Sequence, residues 1–190
     1  MVKLSQWAAA VDSPVRFLRY HAVVENLIRA SGIPYTFLRP NLFMQGLLGF
    51  RETIMQEGQF YGAVGDAKIS LIDIRDIAAA AGEALTQPEH EGKTYNLTGP
   101  ESLTHQQLAE KLSTATNHHI QFIDITPDLF REALLQVGFP HWQAEGLIED
   151  YAHYKLGEAA AVHTGVTEVT GKTPINFERF AKDYAFLFSA

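Results

Sequence analysis

The sequence has no cysteine. That excludes disulfide bonds, a thiolate nucleophile and a cysteine-ligated zinc site. Charge is sparse as well: 19% of the 190 residues are Asp, Glu, Lys or Arg, against about a quarter in an average globular domain. Basic residues are the scarcer sign, 15 against 22 acidic, for a net charge of −7. A surface of that sign offers little to nucleic acid or to an anionic membrane, so neither is expected as a partner. No run approaches the ~20 apolar residues of a membrane-spanning helix. The opening stretch MVKLSQWAAAVDSPVR is interrupted too early for a signal peptide. Nothing points to secretion, and a cytoplasmic location is expected. Among the eight histidines no His-x3-His or His-Glu-x-x-His spacing occurs. His118, His119, His141, His153 and His163 therefore read as scattered surface residues, and no metal is expected.

What is present is an apolar fraction of 46%, enough for a sizeable core in one domain spanning residues 1–190. Residues 2–4 allow a brief strand. Asp12-Ser13-Pro14 is a helix-start signal. Phe17, Leu18, His21, Val24, Glu25 and Leu27 follow at spacings of three and four, which predicts an amphipathic helix ending at Ser31-Gly32. Residues 35–38 are β-formers and read as a buried strand. Residues 42–57 are apolar and read as a helix weakened by Gly46 and Gly49. A short strand is expected at 69–72, a helix capped by Asp73 at 74–85, a strand at 94–97, a helix capped by Thr104, and a strand at 119–125. Helices then dominate. Trp142, Tyr151 and Tyr154 share one of them, either roofing a pocket or facing the core, and core is the better reading. Strands alternating with helices, then mostly helices, predict an α/β fold with parallel pairing. Residues 1–100 form its sheet part and 101–190 a mostly helical part.

Three stretches are more specific than this pattern: His21-x3-Glu25 followed by Ala30-Ser31-Gly32-Ile33-Pro34-Tyr35-Thr36-Phe37-Leu38-Arg39-Pro40-Asn41-Leu42-Phe43-Met44-Gln45; Ser70-Leu71-Ile72-Asp73-Ile74-Arg75-Asp76-Ile77-Ala78; and Gly92-Lys93-Thr94-Tyr95-Asn96-Leu97-Thr98-Gly99-Pro100-Glu101-Ser102-Leu103-Thr104. In this order they resemble the NmrA-like branch of the atypical short-chain dehydrogenase/reductases. That branch includes NAD(P)H-dependent quinone and azo-dye reductases and nucleotide-sensing regulators. The resemblance implies a Rossmann-like sheet, an NAD(P) cofactor and a small aromatic acceptor. It also implies that only the C-terminal part of the family fold is represented. The family opens with a strand, a G-x-x-G-x-x-G turn and a helix that hold the cofactor pyrophosphate, and no such turn occurs here. Gly58-x3-Gly62-x2-Gly65 lacks the strand-to-helix context of a phosphate loop.

The resemblance also implies site residues. Related dehydrogenases carry a Tyr-x3-Lys pair on the first helix, and by register from Ile33-Pro34 those places hold Phe17 and His21. A phenyl ring has no exchangeable proton, so Phe17 cannot be the acid. Hydride transfer to a quinone- or azo-like acceptor fits better, because water can protonate the product. His21, the catalytic candidate, either meets a ribose or substrate oxygen or pairs with Glu25 or a backbone carbonyl. Arg39, Pro40, Asn41 and Phe43 match the loop along the nicotinamide face. For Arg39 the alternative is a strand-end salt bridge, and for Phe43 ordinary core. Ser5 matches the end of a strand near the active site, or is only a strand terminus. Asp73 reads as a helix cap. The implied protein is an NAD(P)-dependent oxidoreductase that here lacks independent cofactor binding. The alternatives are a non-catalytic association module of the same fold and a shortened form of an ordinary enzyme. Either way the edge at residues 2–4 is expected to be covered, by a second copy in a homo-oligomer, a complementing chain or a rearranged segment.

Overall fold

The structure is a computed structural model describing residues 1–189. In chain order its elements are β1 (Val2–Leu4), α1 (Arg16–Ala30), β2 (Thr36–Pro40), a 3-10 segment (Met44–Phe50), α2 (Arg51–Glu57), β3 (Gln59–Gly62), α3 (Ile74–Thr86), β4 (Lys93–Leu97), α4 (His105–Thr116), β5 (Gln121–Asp124), α5 (Pro127–Gln136), α6 (His141–Tyr154), α7 (Gly165–Thr170) and α8 (Phe177–Phe188). They form two compact units that alternate along the sequence. The first takes residues 1–43, 70–101 and 162–176, and the second takes 44–69, 102–161 and those from 177 onward.

The first unit is built on a parallel sheet of order β1-β2-β4. Lys3 lies opposite Phe37, and Leu38 opposite Tyr95. The strands expected at 35–38 and 94–97 are thus direct neighbours. Successive side chains leave opposite faces. Leu38, Tyr95 and Leu97 pack on one face with Ile72, Ile77, Ala80, Val166 and Val169, so α3 and α7 cover that side. Gly165 opens α7 directly against the β4 backbone, where a Cβ would collide with the carbonyl oxygen of Asn96. The other face carries Lys3, Phe37 and Arg39 and meets α1, whose Arg29 guanidinium stacks over the Phe37 ring at 4.8 Å.

Local chemistry sets the boundaries. Asp73 caps α3 by accepting the N–H of Arg75 at 2.8 Å. α1 begins at Arg16, later than its signal at 12–14, because the Ser13 hydroxyl accepts the Val15 N–H at 3.1 Å and holds a turn there. The expected strand at 69–72 is two isolated bridges, Phe43 with Ile72 and Ile69 with Leu103. The expected helix at 42–57 splits into the 3-10 segment and α2, with both Gly46 and Gly49 in the 3-10 part.

The second unit pairs β3 and β5 in parallel. Its core is aromatic: Phe60, His105, Phe122, Phe130, Tyr151 and Tyr154 form a chain of ring contacts with centroids 4.9–6.2 Å apart. Tyr151 and Tyr154 are buried as expected of a core face, whereas Trp142 on the same helix is 56% exposed. His153 is buried, not at the surface as its spacing suggested. α4 opens with a capping box in which Thr104 and Gln107 exchange hydrogen bonds. Among the described residues no helix is long and apolar enough to cross a membrane.

Candidate functional site

The six candidate site residues, Ser5, His21, Arg39, Pro40, Asn41 and Phe43, lie in the first unit, and most of them sit at or just beyond the carboxyl ends of its strands. Backbone pairing continues past each strand end there: Ser5 N–H donates to Leu38 at 2.7 Å, Trp7 to Pro40 at 2.9 Å, and Asn41 to Leu97 at 3.0 Å. That edge is where parallel α/β sheets place their ligands.

Ser5 and Arg39 are brought together, and a third residue joins them. Glu25, on α1, is fully buried. Its Oε1 accepts from the Ser5 hydroxyl at 2.5 Å and from Arg39 Nε at 2.9 Å. Its Oε2 accepts from Arg39 Nη2 at 2.5 Å and from Arg29 Nη2 at 3.3 Å. Burial pushes the Glu25 carboxyl up, but the hydrogen bonds from Arg39 and Ser5 and the charges of Arg39 and Arg29 outweigh it, so its pKa lies below the usual carboxylate value. The cluster ties β1, α1 and β2 together, so Arg39 does form a strand-end ion pair.

His21 stands one turn before Glu25 but does not bond to it. Its Nδ1 is 2.8 Å from Lys3 Nζ. Burial lowers the His21 pKa, the Lys3 charge lowers it further, and Glu25 pulls weakly the other way. The ring is therefore neutral near pH 7. Lys3 is also lowered, by burial first and by Arg39, against the pull of Glu25.

Pro40 and Asn41 end β2. The Asn41 side chain is committed locally: Nδ2 donates to Ser70 Oγ at 2.9 Å, and Oδ1 accepts the Leu42 N–H at 2.8 Å. Phe43 is 37% exposed, hence not core. It lines an apolar groove of about 470 Å³ with Val2, Leu4, Leu38, Ile74 and Leu85. This groove is on the α3 face of the sheet, opposite the face that carries His21, so Phe43 and His21 are not brought together.

Sequence reasoning missed two features. Lys3 gave no signal, because its meeting with His21 depends on β1 lying under α1. The other is at the sheet edge, where Trp7 Nε1 donates to His163 Nε2 at 2.8 Å and the His163 N–H donates to Thr98 Oγ1 at 2.9 Å. The separation of 156 positions between Trp7 and His163 hides that contact from any local pattern. Among the described residues no group of three or more His, Asp or Glu side chains is placed to hold a metal ion.

Comparison with known proteins adds four findings. A model of the NmrA-like family matches residues 9–177. The NAD(P)H azoreductase of Xenophilus azovorans is 38% identical over 182 residues, 96% of this chain and 64% of that protein. Quinone oxidoreductase 2 of Escherichia coli K12 is 33% identical over 140 residues, 74% of this chain and 49% of that protein. Among solved structures, an NADPH-dependent quinone oxidoreductase from Escherichia coli complexed with NADPH superposes with a TM-score of 0.85 at 27% identity, over 96% of this chain and 64% of that one. The fold is Rossmann-like α/β, as the sequence implied, and the chain spans less than two thirds of the azoreductase's length.

Proposed function

The chain belongs to the NmrA-like family, and from that premise we propose that it carries the acceptor-side part of an NAD(P)H-dependent oxidoreductase that passes hydride to a quinone- or azo-type aromatic acceptor. The observation that carries this reading is the chemistry of α1. Phe17 offers no exchangeable proton, and His21, one turn on, keeps a ring nitrogen without a protein partner among the described residues. A site with no phenolic acid suits acceptors whose reduced anion water can protonate. The name of the azoreductase relative supports the same acceptor class.

In this reading Ser5, Arg39, Pro40 and Asn41 shape the cofactor-side sheet edge, with Glu25 locking the first two in place, and Phe43 borders it. No glycine-rich strand-to-helix turn is present in the 190 residues, so this chain by itself binds dinucleotide weakly. Calorimetric titration of NADPH tests that point: no saturable heat is expected at micromolar protein, and a micromolar dissociation constant contradicts it. Hydride transfer is tested by NADPH oxidation with menadione or methyl red at millimolar nucleotide. A rate above the protein-free control supports the reading, and none with either acceptor defeats it.

A second reading is favoured by one observation. Among the described residues β1 pairs only with β2, and beside it Leu4, Ile74 and Leu85 are 50%, 42% and 69% exposed. An open strand edge next to apolar surface is a docking template. In this reading the chain is an association module whose edge is covered by a second copy or a complementing chain. Light scattering after size exclusion checks the first option: a dimer or larger species supports it, and a monomer throughout a hundredfold concentration range leaves only the complementing chain.

A further inference from the structure

Lys3 and His21 are 18 residues apart and meet through 2.8 Å. An ammonium has three donors and no acceptor. Lys3 Nζ is therefore the donor, and Nδ1 of His21 accepts through its lone pair. A neutral imidazole carries one ring proton, so that proton is on Nε2. Lys3 is itself oriented by a second hydrogen bond, from Nζ to the Leu4 carbonyl at 3.2 Å. Nε2 of His21 has no protein partner among the described residues, and the side chain is only partly buried.

We propose that Lys3 is a positioning residue that fixes His21 in the Nε2–H tautomer, so that His21 presents a hydrogen-bond donor to a carbonyl, hydroxyl or phosphate oxygen of a bound ligand. The inference rests on the reading of His21 as ligand-facing and adds the residue that sets its polarity. A ring with its proton on Nε2 cannot accept a proton there, so His21 serves the ligand as donor and not as base. The charged groups around the ring are Lys3 from β1, Glu25 from the next turn of α1, and Arg39 from β2 acting through both. Burial and Lys3 hold the ring neutral against the pull of Glu25. Donation by Lys3 then decides which nitrogen is protonated.

Long-range proton–nitrogen NMR on the histidine-labelled 190-residue chain reads this directly. The native chain is expected to show the Nε2–H pattern for His21 at neutral pH. Lys3→Met removes donor and charge together, so His21 should become a mixture of tautomers and titrate at higher pH. Lys3→Arg keeps both and should restore the native pattern. An Nδ1–H pattern in the native chain overturns the inference, as does a tautomer and titration unchanged in Lys3→Met. If Lys3→Met does not fold, the native spectrum and the Lys3→Arg spectrum decide alone. These spectra need no ligand, so a failure of hydride transfer and a failure of this inference are read separately.

Discussion

Arg39 closes on Glu25 with both ends of its guanidinium, Nε on one carboxylate oxygen at 2.9 Å and Nη2 on the other at 2.5 Å. The carboxylate is fully buried and the guanidinium about one-fifth exposed. Removing one member of such a pair strands the other. Glu25→Ala is expected to cost about 3 kcal/mol in urea unfolding, and Arg39→Lys about 1 kcal/mol because the two-point geometry is lost. The Glu25 pKa is lowered on folding, so its contribution is present above the ordinary carboxylate range and disappears as pH falls through the lowered value. An unchanged unfolding midpoint in Glu25→Ala would contradict this.

The second unit has its own acid sensitivity. His105 is packed among Phe60, Phe122 and Tyr151, and its Nδ1 has no hydrogen-bond partner among the described residues. Burial pushes its pKa down to about 4, against a weak opposing pull from Asp124. The unfolded chain binds this proton near pH 6.5 and the folded one does not, so stability falls as pH drops from the ordinary histidine value through the folded one. The expected loss is about 2 kcal/mol between about pH 7.5 and about pH 5. His105→Phe should flatten that limb in unfolding curves collected at both pH values. An equally steep limb in the variant would show that other groups drive it.

Two helix starts carry measurable caps. Thr104→Ala breaks the capping box of α4 and is expected to cost about 1 kcal/mol. Asp73→Ala removes the α3 cap and a buried carboxylate that also pairs with Arg75 at 2.8 Å, for about 2 kcal/mol. Thermal unfolding followed by circular dichroism ranks them. Thr104→Ala more damaging than Asp73→Ala would contradict the assignment.

Gly165 is required for contact, not for backbone freedom. Its missing side chain lets α7 rest on the Asn96 carbonyl. Gly165→Ala should destabilise by about 3 kcal/mol, near the top of the overpacking range. At Gly46, where a Cβ has open space, the same change should be neutral or slightly stabilising. Equal effects at the two positions would refute the packing account.

Much of this was legible locally. The caps at Asp73 and Thr104, the strands around Phe37 and Tyr95, and the aromatic core face of α6 follow from spacing and residue type. Residues 69–72 look like a strand by composition, but Ile69 and Ile72 each find a single bridge with a different partner, and no local pattern shows how far pairing extends. For the candidate residues only the places were legible, not the contacts. The resemblance singles out Ser5, His21 and Arg39, yet the sequence does not tell that Glu25 takes Ser5 and Arg39 while Lys3 takes His21. Those partners are set by β1 lying beside β2 and under α1, which is a tertiary relationship.

The measurement that bears most directly on the central claim is NADPH oxidation by the native chain and by His21→Leu, which has no donor, with menadione or methyl red as acceptor, across nucleotide concentrations. The account predicts a rate above the protein-free control that rises without saturating, and that falls about tenfold in His21→Leu. A native rate equal to the control, or a His21→Leu rate equal to the native one, would contradict it.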